Sequence, residues 1–179
     1  MIRLKSFMTP FFCFFVLSSG AILKEGSFAK RIQNKINKEI IKVFKKENFS
    51  LEESNIQLNN NLYLLENSIK EIKIEDKLVG YLFLGKAPSK TDTFDYLVLF
   101  DPTFTIKKAT VLVYREDYGG EIASKRWLGQ FAQKQTSLGF TYGDNISAIS
   151  GATISVQSMT ASMNYVFASL RQMNLSVGQ

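Results

Sequence analysis

The middle of this 179-residue chain consists of short apolar runs separated by tight turns. The clearest runs cover residues 78–84, 94–100 and 105–114, and they are rich in the β-branched and aromatic side chains that favour strands. Turn-forming residues separate the runs at 75–77 and 101–103. Because consecutive strands on short turns pair antiparallel, the sequence predicts an antiparallel sheet.

Less regular segments lie on either side of these strands. Residues 62–65 and 69–74 predict two further short strands. Residues 48–61 are polar and rich in Asn, which is typical of a linker. Residues 85–93 predict a polar loop between two strands.

Amphipathic helices are predicted before and after the strands. Residues 28–44 carry an apolar side chain at every fourth position, and residues 156–170 repeat apolar side chains at steps of three and four. Residues 124–135 predict a shorter helix, with Trp127 on the side that faces the core. The fold class that follows is α+β, an antiparallel sheet flanked by helices in a single domain that an amphipathic helix precedes.

The first amphipathic helix is strongly basic. Residues 24–47 contain eight basic and three acidic side chains. A solvated charged face behind an apolar packing stripe accounts for this pattern. The alternative is attraction of the basic face to an anionic membrane surface or to an acidic partner protein. The whole chain carries a formal charge of +6, but its basic residues do not cluster around aromatic ones, so nucleic-acid binding is not predicted.

The N-terminus has the pattern of an export signal. Arg3 and Lys5 precede an apolar run at 7–17, and small residues follow it up to Ala21. This order is typical of a secretory signal peptide with cleavage near Ala21. The alternative is an uncleaved membrane anchor that extends through Leu23. Both interpretations place the rest of the chain outside the cytoplasm.

Two residue types that often carry chemistry are scarce in this sequence. The chain has no His, which excludes a His general base, a His metal ligand and a His-ligated haem. Its single Cys, Cys13, lies in the apolar N-terminal run, so disulfides, iron–sulfur centres and Cys catalysis are excluded from the folded part. Any redox chemistry must therefore come from an organic cofactor.

A cluster of small and hydroxyl-bearing residues, Ser150-Gly151-Ala152-Thr153-Ile154-Ser155, stands directly before the last amphipathic run. This position predicts a loop that enters the N-terminus of a helix, where free backbone N–H groups favour phosphate. Gly151 allows the backbone to approach a ligand, and Ser150, Thr153 and Ser155 offer side-chain oxygens. Considered alone, such a cluster is more often a plain helix N-cap than an anion-binding site.

Ser150-Gly151-Ala152-Thr153 resembles the flavinylation motif of the FMN-binding domain family. That family includes the FMN-carrying subunits of sodium-pumping NADH:quinone reductase and of the Rnf electron-transfer complex. The resemblance implies FMN as the cofactor, joined to Thr153 by a phosphoester bond that a dedicated flavin transferase installs. The family usually has an acidic residue three positions before the Ser, and this chain has Ser147 there.

A second stretch supports the same resemblance. Glu116, Gly119 and Gly120 follow the last predicted strand and are similar to the Glu-then-glycine loop that lines the flavin pocket in this family. Asp117 and Tyr118 stand where the family usually has Thr-Pro. Taken without the resemblance, the stretch is explained by an ordinary loop and turn.

The resemblance implies an exported flavoprotein that carries electrons on covalently bound FMN, as opposed to a stand-alone enzyme. Its partners would be a redox protein or a membrane electron-transfer complex, the flavin transferase, and a membrane surface. The alternatives are a reversible FMN-dependent oxidoreductase and a flavin-free binding module. The chain divides into a signal peptide or anchor at 1–21, a helix and linker at 22–61, the FMN-binding domain at 62–173 and a tail at 174–179. No catalytic residue or metal ligand is predicted, and the cofactor-binding candidates are Thr153, Ser150, Gly151, Ala152, Ser155, Glu116, Gly119 and Gly120.

Overall fold

An antiparallel sheet with helices on both faces forms the part of the chain that the structure describes. The structure is a computed structural model, and it describes residues 19–54, 56, 64–134 and 139–177. The helices are α1 (Ser19–Phe44), α2 (Lys125–Leu128) and α3 (Thr153–Val177), with 3₁₀ turns at Gly120–Ala123 and Gly129–Phe131. The strands are β1 (Ser50–Glu53), β2 (Leu64–Ile74), β3 (Lys77–Pro88), β4 (Thr93–Phe100) and β5 (Ile106–Val113). The predicted α+β class with an antiparallel sheet is confirmed.

Each strand of the sheet pairs with its neighbour in sequence. The order is β1-β2-β3-β4-β5, and every adjacent pair is antiparallel. Glu75 and Asp76 both have positive φ between β2 and β3, which is the backbone of a tight two-residue hairpin turn. The turn predicted at 75–77 is therefore confirmed, and its twist suits the right-handed twist of the strands it joins.

The sheet separates two apolar layers, and β4 contributes to both. Phe94, Tyr96 and Val98 belong to the larger core with α3, while the alternate residues Leu97 and Leu99 belong to the smaller core with α1. Successive side chains of a strand point to opposite faces of the sheet, so a strand covered on both faces becomes apolar throughout. The apolar face of α3 is buried as predicted, through Val156, Met159, Met163, Val166, Phe167 and Leu170.

Helix α1 is fastened to the sheet by polar contacts as well as by its buried Ile36 and Ile40. Lys35 Nζ donates to the backbone carbonyl of Val111 at 2.9 Å. Glu39 forms ion pairs with Lys42, at 3.0 Å, and with Lys108 of β5. Other basic side chains of the helix and of the residues just after it face solvent, namely Lys30, Arg31, Lys38, Lys45 and Lys46. Within the described residues, no helix combines the length and the hydrophobicity that a membrane span requires.

We expect the Glu39 contacts to make the docking of α1 sensitive to acid. Burial opposes the charge on Glu39, but its bonds to Lys108 and Lys42 outweigh burial and lower its pKa below the usual 4.5. A lowered folded-state pKa stabilises the protein above pH 4.5, and this contribution is lost as pH falls below that value. Glu39→Gln should lower the unfolding free energy by about 1 kcal/mol at pH 7. In acid, where Glu39 is protonated, the variant and the unsubstituted chain should be equally stable.

The measurement is urea unfolding at a series of pH values. Glu47→Gln, at an exposed position just after α1, is the matched control and should keep the pH dependence of the unsubstituted chain. Parallel pH curves for the unsubstituted chain and Glu39→Gln would contradict the role given to this carboxylate.

Two of the predicted loops contain strand. Residues 50–53, predicted as part of a linker, form β1 at the edge of the sheet, where Glu53 pairs with Lys70 and Glu52 with Lys73 of β2. Such a strand is polar because both its faces are largely solvated. The loop predicted at 85–93 is wrong for its first half, since β3 continues to Pro88 and pairs with β4.

Helix boundaries also differ from the sequence predictions. The helix predicted at 124–135 ends at Leu128 and continues only as a 3₁₀ turn, because residues 133 and 134 bond to Ile106 of β5. Helix α1 begins at Ser19, well before the predicted 28, and α3 runs to Val177 through most of the predicted tail. The predictions for residues 1–18, 55, 57–63, 135 and 178–179 lie outside the described residues.

Candidate functional site

Helix α3 begins at Thr153 without a side-chain cap on the preceding residue. Its first backbone bond runs from Val156 N–H to the carbonyl of Ala152, at 2.9 Å. The alanine side chain cannot accept a hydrogen bond, so the plain N-cap interpretation does not apply at this position. The N–H groups of the first turn, at Thr153, Ile154 and Ser155, have no acceptor within the helix and carry its partial positive charge.

The glycine loop lies directly against this helix start. Gly119 has φ of 78°, and a Cβ added to it would lie 2.9 Å from Ala152 Cβ and 3.0 Å from Gly151 O. The hydroxyls of Tyr114 and Ser155 are 3.1 Å apart and join the end of β5 to the first turn of α3. The structure therefore brings Gly119 together with three of the candidates in the Ser150–Ser155 cluster, namely Gly151, Ala152 and Ser155.

The residues of the Ser150–Ser155 cluster differ in exposure. Ser150, Gly151 and Thr153 are exposed, whereas Ala152 and Ser155 are buried. Gly151 has φ of 81°, and no atom lies within 4 Å of the position that its Cβ would occupy. The Thr153 hydroxyl is thus on an open surface, within reach of another protein, on a backbone that its buried neighbours hold in place.

Glu116 has a structural role that the sequence did not indicate. Its Oε1 accepts a 2.6 Å bond from the backbone N–H of Thr91, in the turn between β3 and β4. The Ser89 hydroxyl and the Thr91 amide lower the pKa of Glu116 below 4.5, although the Ser89 contact falls short of full hydrogen-bond geometry. The carboxylate of Glu116 therefore helps to hold the β3–β4 turn in place.

Gly120 begins the 3₁₀ turn Gly120–Ala123 and is exposed, with no atom within 4 Å of the position that a Cβ would occupy. The nearby Ile122 is fully buried and donates its backbone N–H to Gly119 O at 3.2 Å. The second glycine thus stands at the solvent side of the loop, and the contact with α3 is made by Gly119.

The segment that leads into α3 is held by residues that the sequence did not single out for this purpose. Trp127 Nε1 donates to the carbonyl of Ser147 at 2.8 Å, and Gln130 Oε1 accepts from the Ser147 N–H at 2.8 Å. Asn164 of α3 bonds both the N–H and the carbonyl of Phe140, each at 2.7 Å. Trp127 is buried, so its predicted place in the core is confirmed. These are long-range contacts between side chains and backbone, for which a sequence carries no periodic signal.

We expect Gly119→Ala to disturb the contact between the loop and α3. An alanine there would adopt a strained φ and press against Ala152, with a cost of about 1–2 kcal/mol in unfolding free energy. Gly120→Ala is the matched control, because its Cβ enters open space, and it should leave stability within about 0.5 kcal/mol. Thermal unfolding of both variants is the measurement, and equal stability of the two would contradict the packing described here.

A comparison with protein families bears on this site. Residues 90–168 match the model of the FMN-binding domain, a region that starts in the β3–β4 turn and ends within α3. The match covers the glycine loop and the whole Ser150–Ser155 cluster. It confirms the resemblance found in the sequence and indicates FMN as the cofactor. A comparison with curated proteins found no match.

Proposed function

We propose that the FMN-binding domain at residues 90–168 carries FMN covalently, as a phosphoester on Thr153, and transfers electrons outside the cytoplasm. One observation carries this proposal. Thr153 is an exposed hydroxyl at the first position of a 25-residue helix whose first-turn N–H groups have no acceptor within the helix.

The helix start suits a phosphate on the Thr153 oxygen. A phosphate there lies next to the positive end of the helix dipole, a contribution of about 0.3–2 kcal/mol. The backbone at Gly151 is exposed, and no atom lies within 4 Å of the position that its Cβ would occupy, so a phosphate can approach the chain closely there. The residues present therefore fit a phosphoester-linked group, and Ser150 offers a hydroxyl beside it.

Attachment needs an activated phosphate, because direct condensation of Thr153 with FMN releases a water molecule and is unfavourable in aqueous solution. A flavin dinucleotide supplies such a phosphate in its phosphoanhydride bond. The Thr153 oxygen would form the new O–P bond, the phosphoanhydride would break, and the nucleoside monophosphate would leave. The hydroxyl proton would pass to a base of the flavin transferase.

FMN supplies one- and two-electron redox chemistry, which the side chains of this protein cannot provide. The exposed cluster around Thr153 favours an electron carrier, because a surface site lets a partner protein approach the cofactor closely. A buried site that encloses a small substrate would instead favour an oxidoreductase. The partner in this proposal is a redox protein or a membrane electron-transfer complex.

The N-terminal sequence and the charge of α1 support a place outside the cytoplasm and close to a membrane. The basic start, apolar run and small residues of positions 1–21 support export. A covalent bond retains the cofactor where free FMN is dilute and a reversible site would empty. The solvent-facing basic side chains of α1, such as Lys30 and Arg31, would attract an anionic membrane surface or an acidic redox partner.

The test is the mass of the denatured protein. The full chain is expressed in a host with a flavin transferase, purified, unfolded and weighed. We expect an added mass of one FMN less one water, and flavin fluorescence that stays with the protein in denaturant. Flavin released on unfolding would support the reversible oxidoreductase instead, and an unmodified mass without any flavin would overturn the proposal.

A further inference from the structure

Two exposed apolar side chains flank the contact between the glycine loop and the start of α3. Tyr118 precedes Gly119 and is 82% exposed, and Ile154 follows Thr153 and is 47% exposed. Phe28 and Leu78 are the other large hydrophobic residues exposed in the described part of the chain. Exposed apolar side chains that gather at one place mark a binding surface, whereas single ones need no explanation.

The backbone under Tyr118 is held in place although its side chain is exposed. Tyr114 is bonded to Ser155 and packs on Phe94, with ring centroids 5.8 Å apart. Gly119 is pressed against Ala152, and the buried Ile122 anchors the far side of the loop. Neighbouring Cα atoms are about 3.8 Å apart, so the Cα atom of Tyr118 lies next to that of Gly119. The Tyr118 side chain therefore projects from backbone that is held close to the beginning of α3.

We infer that Tyr118 stacks on the isoalloxazine ring of FMN, an inference that rests on the proposed attachment to Thr153. The ribityl chain joins the phosphate to the ring, so a flavin tethered at Thr153 lies over the surface beside it. Tyr118 is the exposed aromatic side chain of the two segments that meet there. An aromatic pair in offset contact favours the stacked over the open arrangement by roughly 2- to 12-fold. Tyr118 is thus a positioning residue for the flavin ring.

Tyrosine gives this contact a spectroscopic signature. A phenol in contact with an excited flavin transfers an electron to it and quenches its fluorescence, and the electron then returns. Phenylalanine stacks equally well but is too difficult to oxidise to quench. Tyr118→Ala therefore removes both the stacking contact and the quenching, whereas Tyr118→Phe removes only the quenching.

The experiment compares the flavin-loaded full chain with Tyr118→Ala, Tyr118→Phe and the control Phe28→Ala. Phe28 is an exposed aromatic residue of α1, outside the candidate site. We expect Tyr118→Ala to raise flavin fluorescence roughly threefold or more and to lower its anisotropy, because the ring is no longer held. Tyr118→Phe should be bright but keep the high anisotropy, and Phe28→Ala should match the unsubstituted chain.

The denatured mass of every variant is recorded in parallel, which separates this inference from the proposal it rests on. Covalent flavin in all variants, with equal fluorescence and anisotropy in Tyr118→Ala and the unsubstituted chain, would overturn the stacking role alone. If the unsubstituted chain carries no covalent flavin, the same variants are titrated with free FMN. If FMN fluorescence is quenched by the unsubstituted chain and by Phe28→Ala but not by Tyr118→Ala or Tyr118→Phe, the contact between Tyr118 and the flavin is supported. If no chain quenches it, both the proposed function and the stacking role of Tyr118 are overturned.

Discussion

Replacement of Thr153 by alanine should abolish covalent flavin while the protein stays folded. The Thr153 side chain is exposed and its removal opens no cavity, so the unfolding free energy should change by less than about 0.5 kcal/mol. The phosphoester, by contrast, needs the Oγ atom, and no neighbouring group replaces it at the first position of α3. The expected result is an unmodified mass from a host in which the unsubstituted chain is fully modified.

Two further variants make this result specific. Thr153→Ser keeps the hydroxyl and should be modified, although more slowly where the transferase contacts the methyl group. Thr141→Ala removes an exposed threonine from the segment before α3 and should be modified like the unsubstituted chain. Covalent flavin on Thr153→Ala would show that another hydroxyl, such as that of Ser150, is the acceptor.

The sequence predicted those parts of the fold whose signal is local. The strands of the central sheet are rich in β-branched and aromatic residues, and the 75–77 turn contains Asp76, a residue type that tolerates positive φ. Helix α3 has a clear apolar stripe, and its start after Ala152 falls within the Ser-rich cluster. Each of these features can be recognised from a window of about ten residues.

The missed features depend on partners that are distant in sequence. β1 is polar and is a strand only because β2 pairs with it and supplies Lys70 and Lys73. The hydrogen bond that the Glu116 carboxylate accepts from a turn 25 residues earlier in the chain was not predicted either, and the role of Glu116 at the cofactor stays a prediction. No local pattern announces such contacts, since they form only after the sheet has assembled.

The end of β3 was missed for a similar reason, and it shows how the sheet positions α3. Gly85 pairs with Tyr96 of β4, and the Tyr96 ring lies across the glycine. Tyr96 is fully buried, burial raises the pKa of its phenol, and its hydroxyl is hydrogen-bonded to Ser162 of α3. A glycine that weakens a strand by itself therefore makes room for the ring that fastens α3 to the sheet.

Replacement of Gly85 by alanine should be strongly destabilising for this reason. Its Cβ would lie 2.5 Å from the Tyr96 Oη and 2.6 Å from Cε1, distances that no side chain tolerates. Overpacking of this kind costs about 3 kcal/mol, and the loss of glycine's freedom in the unfolded chain offsets at most about 1 kcal/mol of it. A net loss of about 2 kcal/mol corresponds to a melting temperature about 4–8 °C lower in a protein of this size. Gly129→Ala, where the Cβ meets open space and φ is −61°, is the control and should be neutral or slightly stabilising.

A double-mutant cycle with Tyr96→Leu distinguishes this clash from a general effect of alanine in the strand. Tyr96→Leu alone should cost about 3 kcal/mol, because it leaves a cavity and removes the partner of the Ser162 hydroxyl. In the double variant the new methyl group occupies space that the ring has vacated, so the combined loss should fall short of the sum by about 1–2 kcal/mol. If the loss of unfolding free energy in the double variant equals the sum of the two single losses, the proposed clash between the new Cβ and the Tyr96 ring is contradicted. Since the position of Thr153 depends on how α3 sits on the sheet, the double variant should also recover part of any loss of the proposed flavin attachment caused by Gly85→Ala.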